Sequence, residues 1–259
     1  MLLLSILIGT LIAGIGSVLL AKLVSPNASS RFEPDMLSFA AGALLSTACL
    51  HLLPEAMQGG IEITRICSAL LAGLVLFFAL DKAELWHHGH EHHHDAHGDH
   101  HAATHSHEHG TAGVWAVLVG DSVHCFGDGL LIAAAFIADF KLGALASLAV
   151  LTHEIPHHLG DLAVVGKGPL GNQRATMKVA LAGTLTVIGG IAGYGLVETL
   201  RPFLPYFLAA AASSFMYVAL ADLIPQMQKH VGPGQSARHM FWLLLGIAVV
   251  AVTTMFDIH

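Results

Sequence analysis

The chain has 259 residues, 54% of them hydrophobic and only 11% charged, whereas a water-soluble domain carries about a quarter charged residues. Most of its surface therefore does not face water. The net charge of −7, with eleven Lys and Arg scattered between apolar runs, excludes a basic patch for nucleic acid, and three cysteines (Cys49, Cys67, Cys125) in or beside apolar segments exclude a disulfide framework.

About 20 apolar residues are needed to cross the hydrocarbon core of a bilayer. Eight such spans are predicted, at 2–23, 35–56, 62–81, 112–138, 142–165, 178–199, 203–226 and 239–257, which makes the chain an all-α integral membrane protein. The first span differs from a signal peptide: no positive charge precedes it, and the apolar run extends to Leu23. A short turn near Asp139–Lys141 separates the fourth span from the fifth. The 27 glycines suit helices that pack closely in lipid.

Eight spans put both termini on one side. Lys22, Arg31, Lys82, Lys167, Arg174, Lys178, Lys229 and Arg238 then share one face of the membrane, against Arg65, Lys141 and Arg201 on the other. Eight against three makes the first face cytoplasmic. Both termini are expected on the non-cytoplasmic side.

Two spans end alike. The second closes on His51-Leu-Leu-Pro54-Glu55 and the seventh on Asp222-Leu-Ile-Pro225-Gln226, each after a small-residue stretch. By the predicted topology they run in opposite directions, and inverted repeats with proline-broken helices mark transporters with a midplane site.

The loop after the third span is the one extended polar region. Histidine numbers 20 in the whole chain, and twelve of these fall between His87 and His109, with Glu91, Asp95, Asp99 and Glu108. Neutral imidazoles are ligands for Zn²⁺, Cu²⁺ and Ni²⁺. Read blandly, the tract is a solvated low-complexity linker; read chemically, it captures metal weakly. It does not by itself separate a transporter from a storage protein or a sensor.

The fourth and fifth spans carry the decisive pattern. In Gly120-Asp121-Ser-Val-His124-Cys125-Phe-Gly-Asp128-Gly129, a rotation of about 100° per residue puts Asp121, His124, Cys125 and Asp128 on one face. In His153-Glu154-Ile-Pro156-His157-His158-Leu-Gly-Asp161, His153, His157 and Asp161 form an i, i+4, i+8 stripe with Glu154 and His158 beside it. Ionisable groups at membrane depth cost several kcal/mol each unless paired, hydrated or metal-bound. A single histidine would read as a satisfied helix contact; a cluster this large does not. Imidazole nitrogens mixed with carboxylate oxygens suit Zn²⁺ and its neighbours, and Asp128 or Glu154 could bridge two ions.

At these residues the chain resembles a known family. His124-Cys-Phe-Gly-Asp128-Gly is similar to the His-Asn-x-x-Asp-Gly motif in the fourth helix of the ZIP (Zrt/Irt-like) metal transporters. His153-Glu154-Ile-Pro156-His157-His158-Leu-Gly-Asp161 is similar to the fifth-helix His-Glu-x-Pro-His-Glu-x-Gly-Asp signature of one large branch. The resemblance implies a 3+2+3 arrangement with inverted repeats: 1–81 a first three-helix repeat, 82–111 a His-rich cytoplasmic loop, 112–165 a metal-binding two-helix unit, 166–259 a second repeat. It also implies uptake into the cytosol from outside or from an organelle, through a binuclear site. His124, Asp128, His153, Glu154 and His157 would be the main ligands, Cys125 would serve a second metal, and His51, Glu55 and Asp222 would line the path. Asp121, His158 and Asp161 complete the candidate set. Cys125 and His158 depart from the Asn and Glu of the family pattern; a thiol is the softer ligand, and loss of the Glu lowers the negative charge.

Other chemistry remains open at this point. His153-Glu154-x-x-His157 also fits the His-Glu-x-x-His of zinc metalloproteases, although these keep about three protein ligands and one position for water. His124–Asp128 and His157–Asp161 fit the His-x-x-x-Asp of cation-diffusion exporters, which usually have six helices and a soluble C-terminal domain. A channel or sensor gated by the loop is a third reading. The expectation is a carrier, not an enzyme, with no catalytic cofactor. Zn²⁺ is its expected substrate, with Cd²⁺, Fe²⁺ and Mn²⁺ as further candidates. Its expected partners are divalent ions and the lipid bilayer, not nucleic acid; a homodimer is compatible. The cell (inner) membrane is the expected location, an organellar membrane the alternative.

Overall fold

A computed structural model describes residues 1–24, 32–89, 111–167, 171–228 and 233–255. Apart from the helical backbone at 87–89, the His-rich tract lies outside these residues. Eight long helices account for nearly all of them, with no strand among the described residues. They are α1 (Leu2–Val24), α2 (32–58), α3 (Ile63–Gly89), α4 (Thr111–Ala138), α5 (Phe140–Lys167), α6 (Gly171–Thr199), α7 (204–228) and α8 (Pro233–Met255).

Seven of these contain a stretch long and apolar enough to cross a membrane; the 28-residue α5 is the exception, because the polar run from His153 lowers its apolar average. The chain is a multi-pass membrane protein. The predicted spans match the helices closely, except that α3 runs on to Gly89 and α6 and α8 begin several residues early.

The joint between α4 and α5 is shorter than predicted, a single residue. Asp139 caps α5: its Oδ1 accepts the backbone N–H of Lys141 at 2.8 Å and of Leu142 at 3.1 Å, satisfying donors that a helix start leaves unpaired. From this pivot the candidate ligands of α4, Asp121 to Asp128, lie 11 to 18 residues back and those of α5 from His153 to His158 lie 14 to 19 residues forward. At 1.5 Å per residue the two sets fall at similar depth.

Packing sorts the helices into two groups. One holds α1, α4, α5 and α6, with α4 against α6 and α5 against α1; the other holds α2, α3, α7 and α8, with α2 against α8 and α7 against α3. The groups meet chiefly along α2–α5 and α4–α7. This pattern of neighbours maps onto itself when α1, α2 and α3 are exchanged with α6, α7 and α8, and α4 with α5. Local geometry follows the same exchange in α2 and α7. A π-helical segment interrupts α2 at Ala48–Leu52 and α7 at Val218–Leu223, each ending two residues before Pro54 or Pro225. His51 and Asp222 thus occupy equivalent places. A third π-helical segment, Ile12–Gly16, interrupts α1.

Glycines permit the closest approaches. A Cβ at Gly129 of α4 would strike the Thr186 carbonyl of α6, and one at Gly189 of α6 would strike the Phe126 carbonyl of α4. Gly42 and Gly246 do the same for α2 and α8. Small residues at such crossings bring backbones into van der Waals contact where lipid gives little other drive for association.

Candidate metal centre

Two sets of four ligand atoms converge between α4 and α5. His124, Asp128, His153 and Glu154 form the first; Asp121, Cys125, Glu154 and His158 form the second. Within each set the atoms lie within 4.8 Å of one another. Glu154 belongs to both, one oxygen facing each way.

In the first group, Glu154 Oε1 lies 3.3 Å from His124 Nε2 and 3.3 Å from His153 Nε2. Asp128 Oδ2 is 3.2 Å from His153 Nε2 and 3.9 Å from His124 Nε2, and the two Nε2 atoms are 3.4 Å apart. Donors about 2.0–2.1 Å from a tetrahedral zinc sit roughly 3.3–3.4 Å from each other. The spacing fits an ion at the centre.

In the second group, Glu154 Oε2 lies 3.2 Å from His158 Nε2 and accepts from Cys125 Sγ at 3.5 Å. Asp121 Oδ1 is 3.5 Å from Cys125 Sγ and 3.7 Å from His158 Nε2, and Sγ is 4.0 Å from that nitrogen. A zinc–sulfur bond of about 2.3 Å widens the sulfur edges of a tetrahedron to roughly 3.6 Å. This group is slightly looser than the first, as its sulfur requires.

The environment supplies reason for a cation. Asp121 Oδ2, Asp128 Oδ2 and Glu154 Oε1 are buried without a hydrogen bond, a costly state unless a positive ion takes the lone pairs. Neighbouring groups also orient the imidazoles. His153 Nδ1 donates to the Ala149 carbonyl at 3.2 Å, which leaves the Nε2 lone pair free for a metal. His158 Nδ1 lies 3.0 Å from Ser17 Oγ of α1. The run of α5 continues as helix through Pro156, whose missing N–H leaves the Thr152 carbonyl without its usual donor.

The predicted face of α4 is assembled in full, since Asp121, His124, Cys125 and Asp128 all contribute. The predicted stripe on α5 divides. His153 enters the first group, but His157 lies outside both, its ring 5.5 Å from that of His124 and its Nε2 3.0 Å from Asp222 Oδ2 of α7. Asp161 also lies outside the two groups, whereas Glu154 and His158, beside the predicted stripe, are inside. His51 Nε2 meets Thr253 Oγ1 of α8 at 3.2 Å, and Glu55 is half-buried on the last segment of α2. Neither is brought to the ligand groups. Ser17 was not among the candidates: a lone serine in an apolar span carries no sign of a partner 141 residues away.

A family profile described as ZIP Zinc transporter matches residues 81–254, about two thirds of the chain. Zinc transporter ZIP13 of Pongo abelii is 27% identical over 288 aligned positions, covering 96% of this chain and 78% of the relative. Zinc transporter ZIP10 of Homo sapiens is 35% identical over 66% of this chain but only 22% of its own length. The ZIP13 homolog of Drosophila melanogaster is 32% identical over 55% of this chain and 41% of its own. The chain thus spans most of one relative and much smaller parts of the other two.

Proposed function

The chain belongs to the ZIP zinc transporter family, and from that premise we propose that it carries a divalent cation, zinc foremost, into the cytoplasm by way of two ligand groups joined at Glu154. Divalent-metal transport is what this membership supports, and members of the family are transporters rather than enzymes. The protease and exporter readings are accordingly not favoured. Cd²⁺, Fe²⁺ and Mn²⁺ are further substrate candidates that the same donors could hold.

The observation that carries the reading is the shared carboxylate. Glu154 turns one oxygen to two imidazoles and the other to an imidazole and a thiol, all within the apolar thickness of the helix bundle. An ion arriving in the first group exchanges its water for these donors. His157 and Asp222, between α5 and α7, stand where the two helix groups meet. Release follows when the unit of α1, α4, α5 and α6 moves against the other four helices, and His157–Asp222 breaks and re-forms during that motion. The His-rich tract receives or senses the ion on the cytoplasmic side.

The cell (inner) membrane, non-cytoplasmic termini and a homodimer belong to the same proposal. Protease accessibility of terminal tags and cross-linking in native membranes test these points.

The direct test uses purified protein in liposomes loaded with a zinc-sensitive dye. Wild type should give inward zinc flux, Glu154→Gln should give none, and deletion of 87–109 should leave flux measurable. Flux equal to that of empty vesicles would end the proposal.

A further inference from the structure

The second ligand group has a support that reaches it from outside the α4–α5 unit. Ser17 stands immediately after the π-helical segment Ile12–Gly16 of α1 and is fully buried. Its Oγ–H donates to the Gly14 carbonyl at 2.5 Å. Having spent its one proton there, Oγ can only accept from a second partner, and that partner is His158 Nδ1 at 3.0 Å. With Oγ as the acceptor, the imidazole carries its proton on Nδ1. Its Nε2 lone pair is left facing Glu154 Oε2, Asp121 Oδ1 and Cys125 Sγ.

The backbone around Ser17 makes this contact possible. A π-helical turn shifts the phase of a helix and leaves carbonyls off the regular ladder, a device common at functional sites. Gly14 lies inside that turn, and a Cβ there would strike the Gly183 carbonyl and Thr186 side chain of α6. Glycine thus lets α1 close on α6 at the level of the cluster.

We propose that Ser17 is a positioning residue that fixes the tautomer of His158, and that this completes a soft-cation site of one sulfur, one nitrogen and two carboxylate ligands. The inference rests on the proposed transport reading for its biological setting but on the geometry of Ser17, Cys125 and His158 for its chemistry. Asp121, whose Oδ1 faces Cys125 and His158, keeps its other oxygen buried without a hydrogen-bond partner, a cost that a cation bound to this carboxylate would relieve. Cys125 binds as thiolate, its proton leaving to water as the metal enters. Sulfur biases the group toward Zn²⁺ and Cd²⁺ over Mn²⁺.

The test is a cadmium titration of the full-length protein in nanodiscs, read by the ultraviolet cadmium–thiolate charge-transfer band. Wild type should show the band and Cys125→Ser should lose it, which separates this thiol from Cys49 and Cys67. Ser17→Ala should keep the band at saturation but move its midpoint to about 10–100-fold higher cadmium, the usual cost of losing an orienting partner. Ser17→Thr should restore the midpoint, and the thermal midpoint of metal-free protein should be the same in all three Ser17 forms. An unmoved midpoint in Ser17→Ala, a shift that follows lost thermal stability, or a band that survives Cys125→Ser overturns the proposal. Zinc flux into vesicles without any thiolate band refutes this site and leaves transport standing; a band without flux does the reverse.

Discussion

The two ligand groups share Glu154, and each adds an Asp of α4 and a His of α5; they differ in the fourth donor, His124 or Cys125, and in their surroundings. The first has nitrogen and oxygen donors and includes His124, whose side chain is 29% exposed, close to the His157–Asp222 contact between the helix groups. The second contains a thiol, is sealed around a fully buried His158, and is braced by Ser17 from within its own helix group. One is open to the boundary where motion would occur; the other is enclosed by elements that would move together. An ion that must enter and leave is suited to the first. The second is built to hold its geometry.

This contrast can be broken at its shared atom. Glu154→Gln should have the largest effect, because an amide cannot bridge two cations with two anionic oxygens. Zinc flux should fall to background, and metal analysis of the protein should lose both ions of the cluster. His153→Ala and Cys125→Ser should then part company. The first removes a donor of the open group and should cut flux on the order of tenfold to a hundredfold, comparable to or beyond the loss of an orienting partner. The second should leave zinc flux measurable while lowering the preference for cadmium over manganese in competition assays. Equal effects of the two substitutions on flux would mean that the groups are not distinct in use.

A smaller effect is expected at the boundary. Asp222→Asn weakens the charge-assisted contact to His157 without removing a cluster ligand. Maximal flux should change by a few-fold and zinc affinity hardly at all, which kinetic analysis in vesicles separates. The mildest perturbation is acid. Imidazole binds metal only when neutral and has an ordinary pKa of about 6.5. Protons compete with the metal for these nitrogens, so lowering the pH from 7.5 to about 5.5 should reduce flux, with recovery on return. A flat profile would argue against histidine ligation.

Much of this was legible in the sequence, though unevenly. Apolar runs identify the spans, and α5 is recognisable despite its polar middle because a spanning length of helix follows a tight turn. The α4 face is legible because its four ligands occupy one row. On α5 two adjacent rows compete: 153–157–161 and 154–158. Spacing says that both exist, but only the crossing of α5 with α4 decides which faces the partner helix. That crossing splits the first row, sending His157 to α7, and draws in Glu154 and His158. The kinship of α2 and α7 is visible in their Pro-polar endings, whereas the division into two four-helix groups depends on long-range packing that no local pattern reports. Ser17 belongs to the same class: its role exists only once α1 lies beside α5.

Anomalous X-ray scattering at the zinc edge from crystals grown with zinc tests the central claim most directly. Two peaks flanking the Glu154 carboxylate are predicted, one among His124, Asp128 and His153, the other among Asp121, Cys125 and His158. An anomalous map with no peak beside Glu154, with zinc found only along the His-rich tract, would contradict it.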